Sequence, residues 1–228
     1  MKMILLFLFT INIFATTTED FLSQKIDNII FHKVKQHKKK IELNRCRIQN
    51  RLSSLSFQNL NIKQVPNINF FKQINFLNIR NNRITNLFYI QSVRDIRYLD
   101  ASENFIDNIF YLQSLRKLQY LDLSKNRINN VFQLKDLRKL EYLDLSNNKI
   151  NNIFQLKDLR RLKYLNLSNN KLSSIPLILN LNSLEVLDIS NNKITNLSFI
   201  KRMPNLKLLI VRGNPIRREN INHVRIKY

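Results

Sequence analysis

The sequence predicts an α/β-class, right-handed curved solenoid of about eight repeats, with a parallel β-sheet on its concave side and a convex side of mostly 3₁₀ and turn segments. Three observations carry that prediction. Asparagine recurs every 22 residues, at Asn82, Asn104, Asn126, Asn148, Asn170, Asn192 and Asn214. Two nearly identical strings follow one another directly, LQYLDLSKNRINNVFQLKDLRK at 118–139 and LEYLDLSNNKINNIFQLKDLRR at 140–161. Within each string leucines first alternate with polar residues and then recur three apart, so one unit holds a strand pattern followed by a tighter return.

Taken in chain order, the first unit is degenerate. It starts at Leu52 and keeps Leu55, Phe57 and Ile62 in phase, but has Leu60 where asparagine belongs, the form of an end repeat. In the regular units the strand is Tyr142-Leu143-Asp144-Leu145-Ser146, whose period of two buries one face. Ile150, Ile153, Leu156 and Leu159 then face the same core from a 3₁₀ or turn-rich return. Asn148 stands where the chain leaves the strand, and its amide can satisfy backbone groups that the turn would strand; the other six asparagines are predicted to do the same. One unit cannot bury its apolar side alone. Stacked units share a continuous core, and seven intervals at about 4.8 Å make an array of roughly 34 Å.

The spacing Leu140, Leu143, Leu145, Asn148, Ile150 is L-x-x-L-x-L-x-x-N-x-L, and with it residues 52–216 resemble the 22-residue class of leucine-rich repeats found in the protein-phosphatase regulatory subunit and in internalins. The resemblance implies a non-enzymatic binding scaffold whose partner differs from member to member.

The ends flank this array. Residues 1–18 carry Lys2, an apolar run from Ile4 to Phe14, and Ala15 and Thr17 at a cleavage-like position, which predicts a secretory signal peptide; a retained apolar N-terminus on a cytoplasmic protein is the alternative. Residues 19–51 form a basic segment and cap. Phe21, Leu22, Ile26, Ile29, Ile30 and Val34 recur at helical spacing, suited to covering the core or to docking on a membrane surface, and HKVKQHKKK at 32–40 is a solvated basic run. Cys46 has no internal disulfide partner and reads as a small buried side chain of the cap. Residues 217–228 are a short C-terminal cap, with Ile221 and Val224 placed to cover the last repeat.

Candidate binding residues follow from the strand phase. Phe76, Tyr98, Tyr120, Tyr142 and Tyr164 fall on the outward side of the sheet, as do Asp100, Asp122, Asp144 and Asp188 with Asn78 and Asn166, and aromatic rows make good interface anchors. Basic side chains collect in two stripes. Lys72, Arg94, Arg116, Lys117, Arg138, Lys139, Arg160 and Arg161 precede the strands, while Arg83, Arg127, Lys149, Lys171 and Lys193 follow the asparagines.

The formal net charge of +22 favours acidic or polyanionic partners, although one glycine, two alanines and much Asn, Lys, Ile and Phe also fit an AT-rich coding sequence. Nucleic acid is disfavoured because the rim shows no aromatics for stacking and no recognition helix. Asp122 and Asp144 stand one strand apart, close enough for acid–base or cation chemistry, but no nucleophile, base or phosphate loop accompanies them. His32, His37 and His223 fit no metal spacing, so neither a catalytic site, a metal nor a cofactor is expected. The leading expectation is a secreted protein-binding scaffold that faces a host or cell surface, with an intracellular regulatory adaptor and a polyanion binder as alternatives. Asn166 and Asn196 stand in N-x-S sequons open to glycosylation on export.

Overall fold

The computed structural model describes residues 54–68, 74–176, 180–216 and 224–227. The expected signal peptide, the 19–51 segment with Cys46, the three histidines, Lys72 and Ile221 lie outside the described residues.

Among the described residues nine three-residue strands form one sheet in chain order: β1 (Ser54–Ser56), β2 (Phe76–Asn78), β3 (Tyr98–Asp100), β4 (Tyr120–Asp122), β5 (Tyr142–Asp144), β6 (Tyr164–Asn166), β7 (Val186–Asp188), β8 (Leu208–Ile210) and β9 (Arg225–Lys227). Every pair is parallel, and β1 to β8 start 22 residues apart. The register has no slip: Leu77, Leu99, Leu121, Leu143, Leu165, Leu187 and Leu209 oppose one another in a single inward column. A slip of one residue would turn each leucine outward and each aspartate into the core, so the alternation itself fixes the register.

The return segments are short 3₁₀ helices, η1 (Phe88–Ser92), η2 (Phe110–Ser114), η3 (Phe132–Asp136), η4 (Phe154–Asp158) and η5 (Ser198–Arg202). At three residues per turn, apolar side chains three apart eclipse on one side. Ile150, Ile153, Leu156, Leu159 and Leu162 accordingly lie buried against the leucine column. Each such side chain contributes about 1.5–3 kcal/mol by leaving water.

The asparagine ladder joins the repeats. Asn148 Nδ2 donates to the carbonyls of Leu123, Leu145 and Ser146, while its Oδ1 accepts from Ile128 N–H of the preceding repeat. Asn82, Asn104, Asn126, Asn170, Asn192 and Asn214 bond in the same two directions. One residue earlier, Asn81, Glu103, Lys125, Asn147, Asn169, Asn191 and Gly213 all hold φ between 53° and 71°, a left-handed conformation that lets the chain drop off the strand.

The C-terminal cap contains a strand that the periodicity did not reveal. β9 begins 17 residues after β8, breaking the period, yet pairs with it in parallel, and Val224 joins the core as expected. Exposed Arg225 and Lys227 put charge on this edge strand, which discourages pairing with another chain.

Candidate functional site

The outward positions of the sheet form rows. Phe76, Tyr98, Tyr120, Tyr142 and Tyr164 stack face to face, with successive ring centroids 4.4, 4.1, 4.2 and 4.5 Å apart and planes within 13° of parallel. The strand spacing of about 4.8 Å is close to a stacking distance, so identical rings in register cover one another's faces. The expectation of projecting anchors changes accordingly: Tyr98 and Tyr120 are 1% exposed, and Tyr142 and Tyr164 3%. Val186 and Leu208 continue the column toward the C-terminus, and Ile210, opposite Asp188 in the aspartate row, packs with them. Burial first, with neighbouring carboxylates or phenols second, pushes all four phenols well above the ordinary tyrosine value, so they remain neutral in any physiological setting.

The aspartate row is tied into the backbone. Oδ1 of Asp100, Asp122 and Asp188 accepts from both the N–H and the hydroxyl of the serine two residues on, and Asp144 Oδ1 accepts from Ser146 N–H. Asn78 and Asn166 take the same part toward Arg80 and Ser168. These side chains end the strand by offering the chain a local turn, which is why Asp and Asn interchange here. Asp144 Oδ2 also accepts from Asn166 Nδ2 at 2.9 Å. The Asp122 and Asp144 pair is thus engaged in holding turns rather than poised around an open pocket.

Beside the rings runs a more accessible row that the sequence reading did not single out: Arg97, Gln119, Glu141, Lys163, Glu185 and Lys207. Lys163 pairs with Glu141 at 2.8 Å and Lys207 with Glu185 at 2.7 Å, each exchanging charge with the strand before it. Past the aspartates, Glu103 pairs with both Arg80 and Lys125, and the Lys125 bond leads in holding its carboxyl below the usual range. Of the expected basic stripe, Arg94, Arg116, Lys117, Arg138, Lys139, Arg160 and Arg161 are all exposed, with Lys117 paired to Asp95.

The return side carries a feature the sequence reading missed. Phe88, Phe110, Phe132 and Phe154, one at the start of each of η1 to η4, are exposed, as is Phe105. The premise that exposed aromatics are lacking, on which nucleic acid was disfavoured, does not hold for this side.

Short parallel strands in one register, an amide ladder spanning neighbouring units and a 3₁₀ return define a leucine-rich repeat solenoid. Two-copy models of the leucine-rich repeat family match residues 138–179 and 160–202, a second leucine-rich repeat model matches 108–150, and the chain is a leucine-rich repeat protein. Similar solved structures include internalin C2 of Listeria monocytogenes, 27% identical with a TM-score of 0.71 over 77% of this chain and 80% of that one. A leucine-rich repeat protein of Leptospira interrogans is 28% identical, with a TM-score of 0.67 over 71% of this chain and 44% of that one. A second Listeria monocytogenes internalin is 26% identical, with a TM-score of 0.57 over 69% of this chain and 54% of that one. The chain therefore spans about half the length of these last two. No curated protein matches it.

Proposed function

We propose that this chain is an exported, non-enzymatic scaffold that binds another protein at a host or cell surface through the sheet face. The observation that carries the reading is the register itself. It sets a rigid aromatic stack beside the charged row Arg97 to Lys207, a preorganised surface repeated over six strands. The N-terminal apolar run supports export.

The test is capture from a cell-surface extract by the exported chain, followed by affinity measurement on the captured protein. Glu141→Lys with Glu185→Lys should weaken binding about tenfold, with a modest salt dependence. Tyr142→Phe, which keeps the stack and removes only a buried hydroxyl that donates to Asp144 Oδ2, should leave affinity nearly unchanged. N-terminal sequencing of the product from its source checks export, and a chain that retains Met1 would point to a cytoplasmic adaptor instead.

One observation favours a second reading. The exposed stripe from Arg94 to Arg161 offers a polyanion evenly spaced charges. Under that reading Arg116, Lys117, Arg138 and Lys139 changed to Glu should abolish binding and flatten a steep salt dependence, while the Glu141 and Glu185 changes would have little effect.

A further inference from the structure

The aromatic row on the return side is not required by the repeat. Phe88, Phe110, Phe132 and Phe154 are 47%, 48%, 47% and 40% exposed, although each follows a residue that is fully buried. The equivalent positions in neighbouring repeats are Pro66, Pro176 and Ser198, so the framework accepts small or polar side chains there. The backbone at each phenylalanine is nonetheless held in one turn. Its N–H donates to Asn86, Asn108, Asn130 or Asn152 Oδ1 at 2.6–2.8 Å, a turn that opens every 3₁₀ helix alike. Four rings in register on adjacent units give a short continuous apolar strip.

The strip changes character along its length. At one end Phe88 and Phe110 meet Tyr89 and Tyr111 edge-to-face, with centroids 5.2–5.4 Å apart. At the other, Lys135 and Lys157 stand one 3₁₀ turn beyond Phe132 and Phe154, with Nζ 4.0 and 4.8 Å from the ring centroids. A second copy is a poor occupant for a chain of net charge +22. A membrane would have to draw two ammonium groups toward hydrocarbon along with rings that are already more than half covered. Stacked nucleobases need ring faces that these lysines occupy at Phe132 and Phe154. An α-helix rises about 5.4 Å per turn, and the strip offers one ring per repeat, spaced by no less than the roughly 4.8 Å of the sheet and by more on the convex side of a curved array, so one apolar side chain per turn meets one repeat.

We propose that the Phe88–Phe154 strip docks an acidic amphipathic helical segment of a partner protein, its apolar side chains between the rings and its carboxylates on Lys135 and Lys157. This surface lies opposite the sheet face and is independent of the binding assigned there.

The test uses the full chain and a fluorescent synthetic helix of about 18 residues, roughly 27 Å long, with Leu on one face and Glu beside it. Phe110→Ser with Phe132→Ser should weaken binding about tenfold, as should Lys135→Glu with Lys157→Glu, whose side chains need not be present for folding. The same peptide with Lys for Glu should fail to bind. The proposal is overturned by any of four results: equal affinity for the Glu and Lys peptides; insensitivity to both pairs of substitutions; no peptide binding up to about 1 mM; or stronger binding to phosphatidylserine vesicles or oligo-dT than to the peptide.

Discussion

Asn148→Ala tests the amide ladder at the middle of the array, where fraying of the ends cannot absorb the damage. Asn148 makes four contacts, but they are not equally replaceable. Leu123 O also accepts from Asn126 Nδ2, and Leu145 O from Asn170 Nδ2, so both carbonyls keep a partner when Asn148 is truncated. Ser146 O keeps Lys125 N–H. Ile128 N–H, which donates to Asn148 Oδ1 at 2.9 Å inside the protein, has no such substitute. One buried donor left unpaired costs about 1–3 kcal/mol, and weakening three shared carbonyls adds a fraction of that, so a loss of about 2–3 kcal/mol is expected. Urea melts followed by circular dichroism should show a lower midpoint with an unchanged slope. Asn148→Asp should fare no better, because its carboxylate accepts from Ile128 N–H but faces three carbonyls without a donor. A loss below about 0.5 kcal/mol for Asn148→Ala would refute the accounting.

Three further outcomes follow from the same geometry. Lys125 holds φ 55° where five equivalent positions use Asn, and in its pair with Glu103 the lysine is 60% exposed, so Lys125→Asn should stabilise by about 0.5 kcal/mol, and a midpoint lowered in the same melts would contradict this. Because the stacked tyrosines hold their protons above the unfolded value of about 10, the unfolded chain loses protons first as pH rises; stability should be intact below that value and fall above it, with the buried phenols ionising at 295 nm only together with unfolding. Asn166 is buried, with Nδ2 on Asp144 and Oδ1 on Ser168, whereas Asn196 is exposed, so peptide mapping of the chain from a glycosylating host should find sugar at Asn196 and none at Asn166.

The sequence made the leucine columns and the asparagine ladder readable because both rest on periods the chain spells out: two along a strand and 22 between units. Leu143 and Leu165 had to meet once Asn148 and Asn170 were set in phase. The condition of the tyrosines was not readable in the same way. Alternation assigns Tyr142 to the outward side, but only the distance between neighbouring strands decides that rings placed there will close on one another. Asp144 looked like surface charge because a sequence shows its residue type and not the Ser146 N–H within its reach. β9 breaks the 22-residue period and has no leucine, so the repeat did not announce it, and the alternation of Val224-Arg225-Ile226-Lys227 is its one short signal. Phe154 stands beside Ile153 and outside the spacing of three that marked Ile150, Ile153, Leu156 and Leu159 as core, so its place was left unassigned; the geometry of the 3₁₀ turn sends Ile153 inward and Phe154 out.

That contrast bears on where binding is to be sought. A repeat protein reports, within one chain, which positions its framework demands, since each unit is an independent solution to the same packing problem. Asn148 and its six equivalents never vary, and each bonds backbone on two units; their uniformity is structural. The rings on the sheet are uniform for five repeats and then give way to Val186 and Leu208, which preserve the buried column with a different shape. By contrast Pro66, Phe88, Phe110, Phe132, Phe154, Pro176 and Ser198 occupy one position with no shared packing role, and four consecutive members choose the side chain that costs most to leave in water. Arg97, Gln119, Glu141, Lys163, Glu185 and Lys207 vary in the same manner, with charge instead of apolar area. Neither row is fixed by the core, so these two rows on opposite sides of the solenoid are the surfaces where substitution should leave the fold in place and where a change in binding is to be sought.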